Sequence, residues 1–397
     1  MKTMKFRIKI SYFILLAIFY GADCQVPEMP ASLRDAVLDN NLVLKTMEAA
    51  VEMTGFESRT GLSPTDPYIG LGYLDGSPAS IGNRVDFSVE QEFDFPGVYM
   101  NRSKAGKLKR DMGMLEYLQE RQVQLTRARA LWIQRTGLEL SIALIQARLN
   151  DAQQLKSHYE KMVQEGEASQ LALSQVSLQL VDLQSSLDDA RSGLTQAELG
   201  LAEVCGGEVP VLGHTPLPSS REFNSDSLLA RYMAAPAIKM KENQVRQREM
   251  ERKIAAGKAL PRFSAGYYSE SVVNERFRGV NVGMSIPLWE SRNTVKYSTA
   301  AISVASAELD RIRVEQRTRL LGKLDQREKL LQTIAAMENA LEAVNGEELL
   351  ANALEAGEIS LSEYILTSEY YFSGMLKLIR YRTDLLLVEN DLQKVYW

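Results

Sequence analysis

Beyond its first two dozen residues this chain has no long hydrophobic run. No later segment reaches 18 consecutive apolar residues, which excludes a conventional transmembrane helix there. Cysteine is almost missing. Cys24 and Cys205 are the only two, too few for a disulfide framework or a thiolate metal site. His158 and His214 are the only histidines and lie far apart; each reads as an ordinary surface histidine, not a ligand. No Ser-His-Asp order, phosphate-cradling glycine loop or metal-ligand spacing occurs, so no enzyme and no cofactor are expected. Charge of one sign is also lacking. The 46 basic and 51 acidic residues leave a net charge of −5, and no basic patch interleaved with aromatics marks a nucleic-acid binder.

What is present begins with an export signal over residues 1–24. Lys2, Lys5, Arg7 and Lys9 precede an apolar run from Ile10 to Tyr20, and small residues at Gly21 and Ala22 precede Gln25. An N-terminal anchor helix and a lipid anchor on Cys24 are the alternatives. If the exported protein crosses a membrane, it must do so with β-strands, because only helices and closed barrels satisfy the backbone in lipid.

The sequence then repeats itself. Asp94-Phe95-Pro96 matches Ser285-Ile286-Pro287, and Glu165-Gly166-Glu167-Ala168-Ser169 matches Ala356-Gly357-Glu358-Ile359-Ser360, both at an offset of 191. Upstream the offset is 194, with Lys45 and Glu48 on Lys239 and Glu242, and Pro67 to Tyr73 on Pro261 to Tyr267. The change falls between paired strand patterns, where a hairpin loop tolerates insertion. The expected units are 25–210 and 211–397, each with a helix, a β-hairpin (67–96 and 260–287), a long helix and a returning helix.

Period-two alternation marks the strands. Val85, Phe87, Val89, Phe93 and Phe95 alternate with Asp86, Ser88, Glu90, Glu92 and Asp94, and Val280, Val282, Met284 and Ile286 alternate with Asn281, Gly283 and Ser285. The incoming strands carry Ile69, Leu71, Tyr73 and Phe263, Ala265, Tyr267. One apolar and one polar face suit a barrel wall; a half-buried sheet in a soluble domain is the alternative. Four strands cannot close a water-filled barrel, which points to a wall shared between subunits, about twelve strands in a trimer.

Proline-free helical periodicity runs from Pro96 to Gly166 and from Leu288 to Ala356, each reaching about 100 Å at the α-helical rise. Shorter helix patterns cover Leu171 to Val204, Ser227 to Ala256, Ser32 to about Glu57, and Ser362 to Trp397. They would pair the long helices end to end, with an irregular belt at Gly206 to Ser220. Trp397 is expected to pack in that belt.

This order of elements resembles the TolC-like outer-membrane efflux family over nearly the whole mature chain. The strand-ending Pro96 and Pro287, the two glycine turns, the segment from Leu354 to Leu366 and the helix end Leu201 to Gly206 carry the resemblance. It implies a mainly α fold with transmembrane β: a trimeric α-helical barrel above a shared 12-strand β-barrel, four strands per subunit, built from two internal repeats. It implies a passive outer-membrane channel in a tripartite efflux system, with a periplasmic adaptor and an inner-membrane pump, of RND type, as partners, and outer-membrane lipid around it. Gly166, Glu167, Ser169, Gly357, Glu358 and Ser360 would form the adaptor-docking tips. Glu363, six residues after the second glycine, is the candidate periplasmic gate, where the family carries acidic residues. Ala172 and Leu366 depart from that acidic pattern. Asp86, Glu90, Glu92 and Asp94 should face the barrel lumen. Drugs or metal ions are the expected cargo; a duct for type I protein secretion and a non-transporting periplasmic coiled-coil scaffold remain alternatives.

Overall fold

A computed structural model describes residues 29–397 except 214–216, 219, 221, 273–274, 290 and 345. The signal segment, Cys24 and His214 therefore lie outside the described residues. In chain order the elements are α1 (Ala31–Asn40), α2 (Leu42–Glu57), β1 (Tyr68–Leu74), β2 (Arg84–Phe93), α3 (Pro96–Glu165), α4 (Gln170–Val204), α5 (Ser225–Met233), α6 (Pro236–Lys258), β3 (Arg262–Val272), β4 (Glu275–Ser285), α7 (Thr294–Val344), α8 (Gly346–Glu355) and α9 (Leu361–Gln393). Two compact units result. One comprises Arg121–Leu229, Thr318–Trp397 and the described residues up to Val43; the other comprises Leu44–Glu120 and Ala230–Arg317.

The first unit is all helix and belt. Its core joins Leu33 and Val37 of α1, Leu125, Trp132 and Ile133 of α3, Leu201 and Val204 of α4, and Leu386 of α9, with Cys205 fully buried among them. Trp397 packs half-buried against this cluster, as expected for a belt residue. A second cluster joins Leu144, Ile145 and Leu149 of α3 to Leu183 and Leu187 of α4 and Phe372, Met375 and Ile379 of α9. Spacings of three, four and seven residues along each helix place these side chains in one stripe. The loop before α5 is pinned by polar contacts: Arg327 Nε donates to Glu389 at 2.9 Å and Ser220 Oγ donates to the same carboxylate at 2.6 Å.

The other unit holds an antiparallel sheet in the order β1-β2-β3-β4, continuous across the duplication because β2 and β3 come from different repeats. Helices approach closely beside it. A Cβ on Gly106 of α3 would stand 2.3 Å from the Ser58 carbonyl oxygen, so glycine sets that spacing. Arg313 of α7 pairs with Glu242 of α6 at 2.7 Å.

Three expected helices are interrupted. The N-terminal pattern breaks at Asn41, whose extended backbone separates α1 from α2. Its buried amide donates to the Val204 carbonyl at 2.8 Å and to Gln124 Oε1 at 3.3 Å. The pattern from Ser227 to Ala256 breaks at the equivalent place, where Pro236 stands at the first turn of α6; proline cannot supply the N–H that a continuous helix needs. The second long helix starts at Thr294, not Leu288. Asn293 adopts φ 65°, which asparagine tolerates better than most residues, and the Thr294 hydroxyl donates to the Ser291 carbonyl at 2.7 Å. It continues as α7 and α8, with residue 345 between them.

Candidate channel wall and tips

Backbone pairing places Leu71, Phe87 and Ser269 in one row, and Ile69, Val89 and Tyr267 in the next, all on one face. That apolar face lies open, with Ile69 61%, Leu71 80%, Val280 80% and Val282 76% exposed, and Tyr68, Leu74 and Phe277 are exposed on the opposite face. Asp86, on the opposite face, has only 21% of its side chain exposed. Exposed apolar patches of this extent mark a protein or membrane contact. Gln91, on the same apolar face, turns its amide to the Thr65 and Glu92 carbonyls, at 2.5 and 3.0 Å.

Register puts Asp86, Glu90 and Glu92 on the polar face with Ser88 and Glu270. Within the strands, acidic residues outnumber basic ones there by five to two (Asp86, Glu90, Glu92, Glu270 and Glu275 against Arg84 and Arg262). Near the hairpin ends they form a network. Arg84 Nε pairs with Asp86 at 2.9 Å and Glu270 at 3.2 Å, and its terminal nitrogen donates to the Tyr268 hydroxyl at 2.9 Å. Asp94 lies just past β2, at the junction with α3. Its carboxylate is paired with Arg102 at 2.9 Å and its backbone N–H donates to the Tyr99 hydroxyl.

Of the glycines of this face, the sequence reading placed only Gly283. Gly70, Gly72, Gly266, Gly279 and Gly283 all fall on the polar side and none on the apolar side. Parity within each strand was the available signal, since every one of them occupies a position two, four or six residues from a polar-face residue.

At the helix tips, Gly166 and Gly357 have φ of 76° and 73°, with open space around both. The Glu167 N–H donates to the Met162 carbonyl and the Gly166 N–H to Val163. The Glu358 N–H donates to Ala353 and the Gly357 N–H to Leu354. These are paired Schellman closures, which require a left-handed residue at the glycine position. Ser169 Oγ then accepts from the Ala172 N–H at 3.2 Å and caps α4.

The second tip differs. Ser360 and Glu363 form a reciprocal capping box: the Glu363 N–H donates to Ser360 Oγ at 3.2 Å, and the Ser360 N–H donates to the Glu363 carboxylate at 2.8 Å. The Ser360 backbone and hydroxyl hold the Glu363 carboxyl below its usual range. Glu363 is exposed and turned toward its own helix end, a role that the Ser-x-x-Glu spacing also encodes. Ser362 Oγ donates to Gln175 Oε1 at 3.2 Å and links the two tips. His158, nearby on α3, meets Tyr159 edge-on with ring centroids 5.9 Å apart. Among the described residues no cluster of His, Cys, Asp or Glu could hold a metal, and no helix is long and apolar enough to cross a membrane.

Helices and sheet together define a TolC-like fold. The chain superposes on a membrane protein from Pseudomonas aeruginosa with a TM-score of 0.79 at 15% identity, covering 91% of this chain and 89% of that one. On the outer-membrane protein VceC of Vibrio cholerae the TM-score is 0.78 at 12% identity, with 91% and 94% covered. On the Campylobacter jejuni CmeC outer-membrane channel it is 0.72 at 14% identity, with 92% and 84% covered. No protein-family model matches the sequence, and no curated protein matches it.

Proposed function

We propose that this protein is the outer-membrane channel of a tripartite efflux system, a homotrimer that passes small substrates outward without a catalytic step. One observation carries the proposal: the four-stranded sheet exposes its apolar face and withdraws its acids to the other. In water that arrangement is costly, whereas in a closed wall it places lipid outside and a wet lumen inside. A soluble periplasmic scaffold gives no reason for such a face. Three copies would join β4 of one subunit to β1 of the next and leave no open edge in lipid.

Asp86, Glu90 and Glu92 line the lumen and bias it toward cations; Asp94, paired with Arg102, contributes less. The tips at Gly166, Glu167, Ser169, Gly357, Glu358 and Ser360 dock a periplasmic adaptor joined to an inner-membrane pump of RND type. Drugs or metal ions are the cargo. A ring of three Glu363 carboxylates forms the periplasmic gate.

Two experiments test this. A barrel protein stays in the membrane pellet through a urea wash and gives channels in a planar bilayer; release into the supernatant overturns the proposal. The gate is tested by paired variants, because Glu363→Gln keeps a capping side chain while removing charge, and Glu363→Ala removes both. A gate requires Glu363→Gln to change conductance or cation preference. If only Glu363→Ala does so, Glu363 serves as a helix cap and nothing more.

A further inference from the structure

The apolar face of the sheet changes character at its hairpin end. On β4 the residues alternate Glu275, Arg276, Phe277, Arg278, Gly279, Val280. Register places Arg276 opposite Ser271 and Arg278 opposite Ser269, and those rows continue to Val85 with Tyr73 and to Phe87 with Leu71. Both arginines therefore stand on the apolar face, while Glu275 and Glu270 stand on the other. At this end of β4 the two basic residues and the neighbouring acids thus fall on opposite faces. Arg276 and Arg278 are exposed, and among the described residues neither is ion-paired. The β1–β2 hairpin puts its arginine, Arg84, on the opposite face.

Depth gives this patch its meaning. From Ile286 to Arg276 the strand climbs about 34 Å, or about 26 Å across a bilayer at a tilt of about 40°, against an apolar band about 25 Å tall. The arginines thus reach the rim of the lipid-facing band just where hydrocarbon gives way to headgroups. A guanidinium presents a planar fork that matches phosphate oxygens, and two exposed forks stand beside the partly exposed Ser271, with Ser269 buried in the next row.

Resting on the outer-membrane reading given above, we propose that Arg276 and Arg278, flanked by Ser269 and Ser271, bind the phosphorylated headgroup of a glycolipid in the outer leaflet. The occupant is anionic, amphipathic and held at the rim: its acyl chains lie along Val280, Val282 and Met284 and its phosphate lies on the two guanidiniums. Three such sites would ring the channel and tie its wall to the surrounding leaflet.

The test uses the full chain reconstituted in lipid nanodiscs, with bound lipid counted by native mass spectrometry. Bisphosphorylated lipid A is compared with its dephosphorylated form, with and without millimolar inorganic phosphate. The phosphorylated lipid is expected to bind at least about tenfold more tightly, a difference abolished in Arg276→Gln/Arg278→Gln and reduced but not abolished in Arg276→Lys/Arg278→Lys. Inorganic phosphate alone should not displace it. Equal binding of the two lipids, or wild-type binding by the glutamine pair, overturns the proposal. So does displacement by inorganic phosphate, which would mark a bare anion site. Loss of the trimer in the glutamine pair even in plain phosphatidylcholine would assign the arginines to a neighbouring subunit instead. Urea release of the wild-type chain from membranes would overturn the outer-membrane reading itself, an outcome distinct from each of these.

Discussion

Asn41, Glu389 and Glu363 show how single polar residues act here. Asn41 is 2% exposed and gives its amide to Val204. Removing it strands a buried carbonyl, a loss of about 1–3 kcal/mol; Asn41→Ala should lower stability by that amount in urea unfolding. Glu389 is 2% exposed and held by Arg327 and Ser220. Arg327→Met takes the guanidinium away from a buried carboxylate, at a cost of about 3–5 kcal/mol in the same assay. Glu363 makes a pH prediction. Its carboxyl is depressed in the folded chain by Ser360. Its capping contribution is therefore present above the usual 4.5 and disappears as pH falls through the lowered value. Protection of the amides at the start of α9, relative to their intrinsic exchange, should be high at pH 5 and fall in stronger acid, whereas Glu363→Gln should flatten that dependence. The capping box was written in the sequence as Ser360-x-x-Glu363. The contact of Asn41 was not, because its partner Val204 lies far along the chain and nothing local announces it.

Among the elements, turns and breaks matter most. Gly166 and Gly357 hold left-handed backbone that an L side chain adopts at a cost of about 1–2 kcal/mol. Gly166→Ala and Gly357→Ala should each loosen a tip by that amount, seen as faster exchange at Glu167 or Glu358. The strands were legible because a two-residue period survives translation into structure directly, and β2 presents Asp86, Glu90 and Glu92 on one face as the alternation implied. Helix continuity was harder. Hydrophobic spacing passes smoothly across Pro236 and Asn41, yet proline lacks the donor and Asn41 finds a better partner elsewhere. The late start of α7 has the same origin, since Ser291 and Asn293 favour a turn over helix.

At the scale of the molecule, face parity decides what the sheet tolerates. Val282 sits on the exposed apolar face and its neighbour Asn281 on the polar one. On the outer-membrane reading proposed above, Val282→Arg should cost about 2–4 kcal/mol in a bilayer and reduce the protein recovered from membranes, while Asn281→Arg should leave recovery intact and shift ion preference. Long-range pairing also dictates an order of assembly. Phe93 of β2 pairs with Phe263 of β3, about 170 residues later in the chain. The first hairpin must wait, with an open edge, until a whole helical repeat has been delivered before its partner strand exists. Strand pairing across such a span is slow, and an open edge invites foreign strands. The duplication thus leaves the first hairpin with an exposed edge until β3 arrives, and lets the sheet pair before the helices α7 to α9 have been made.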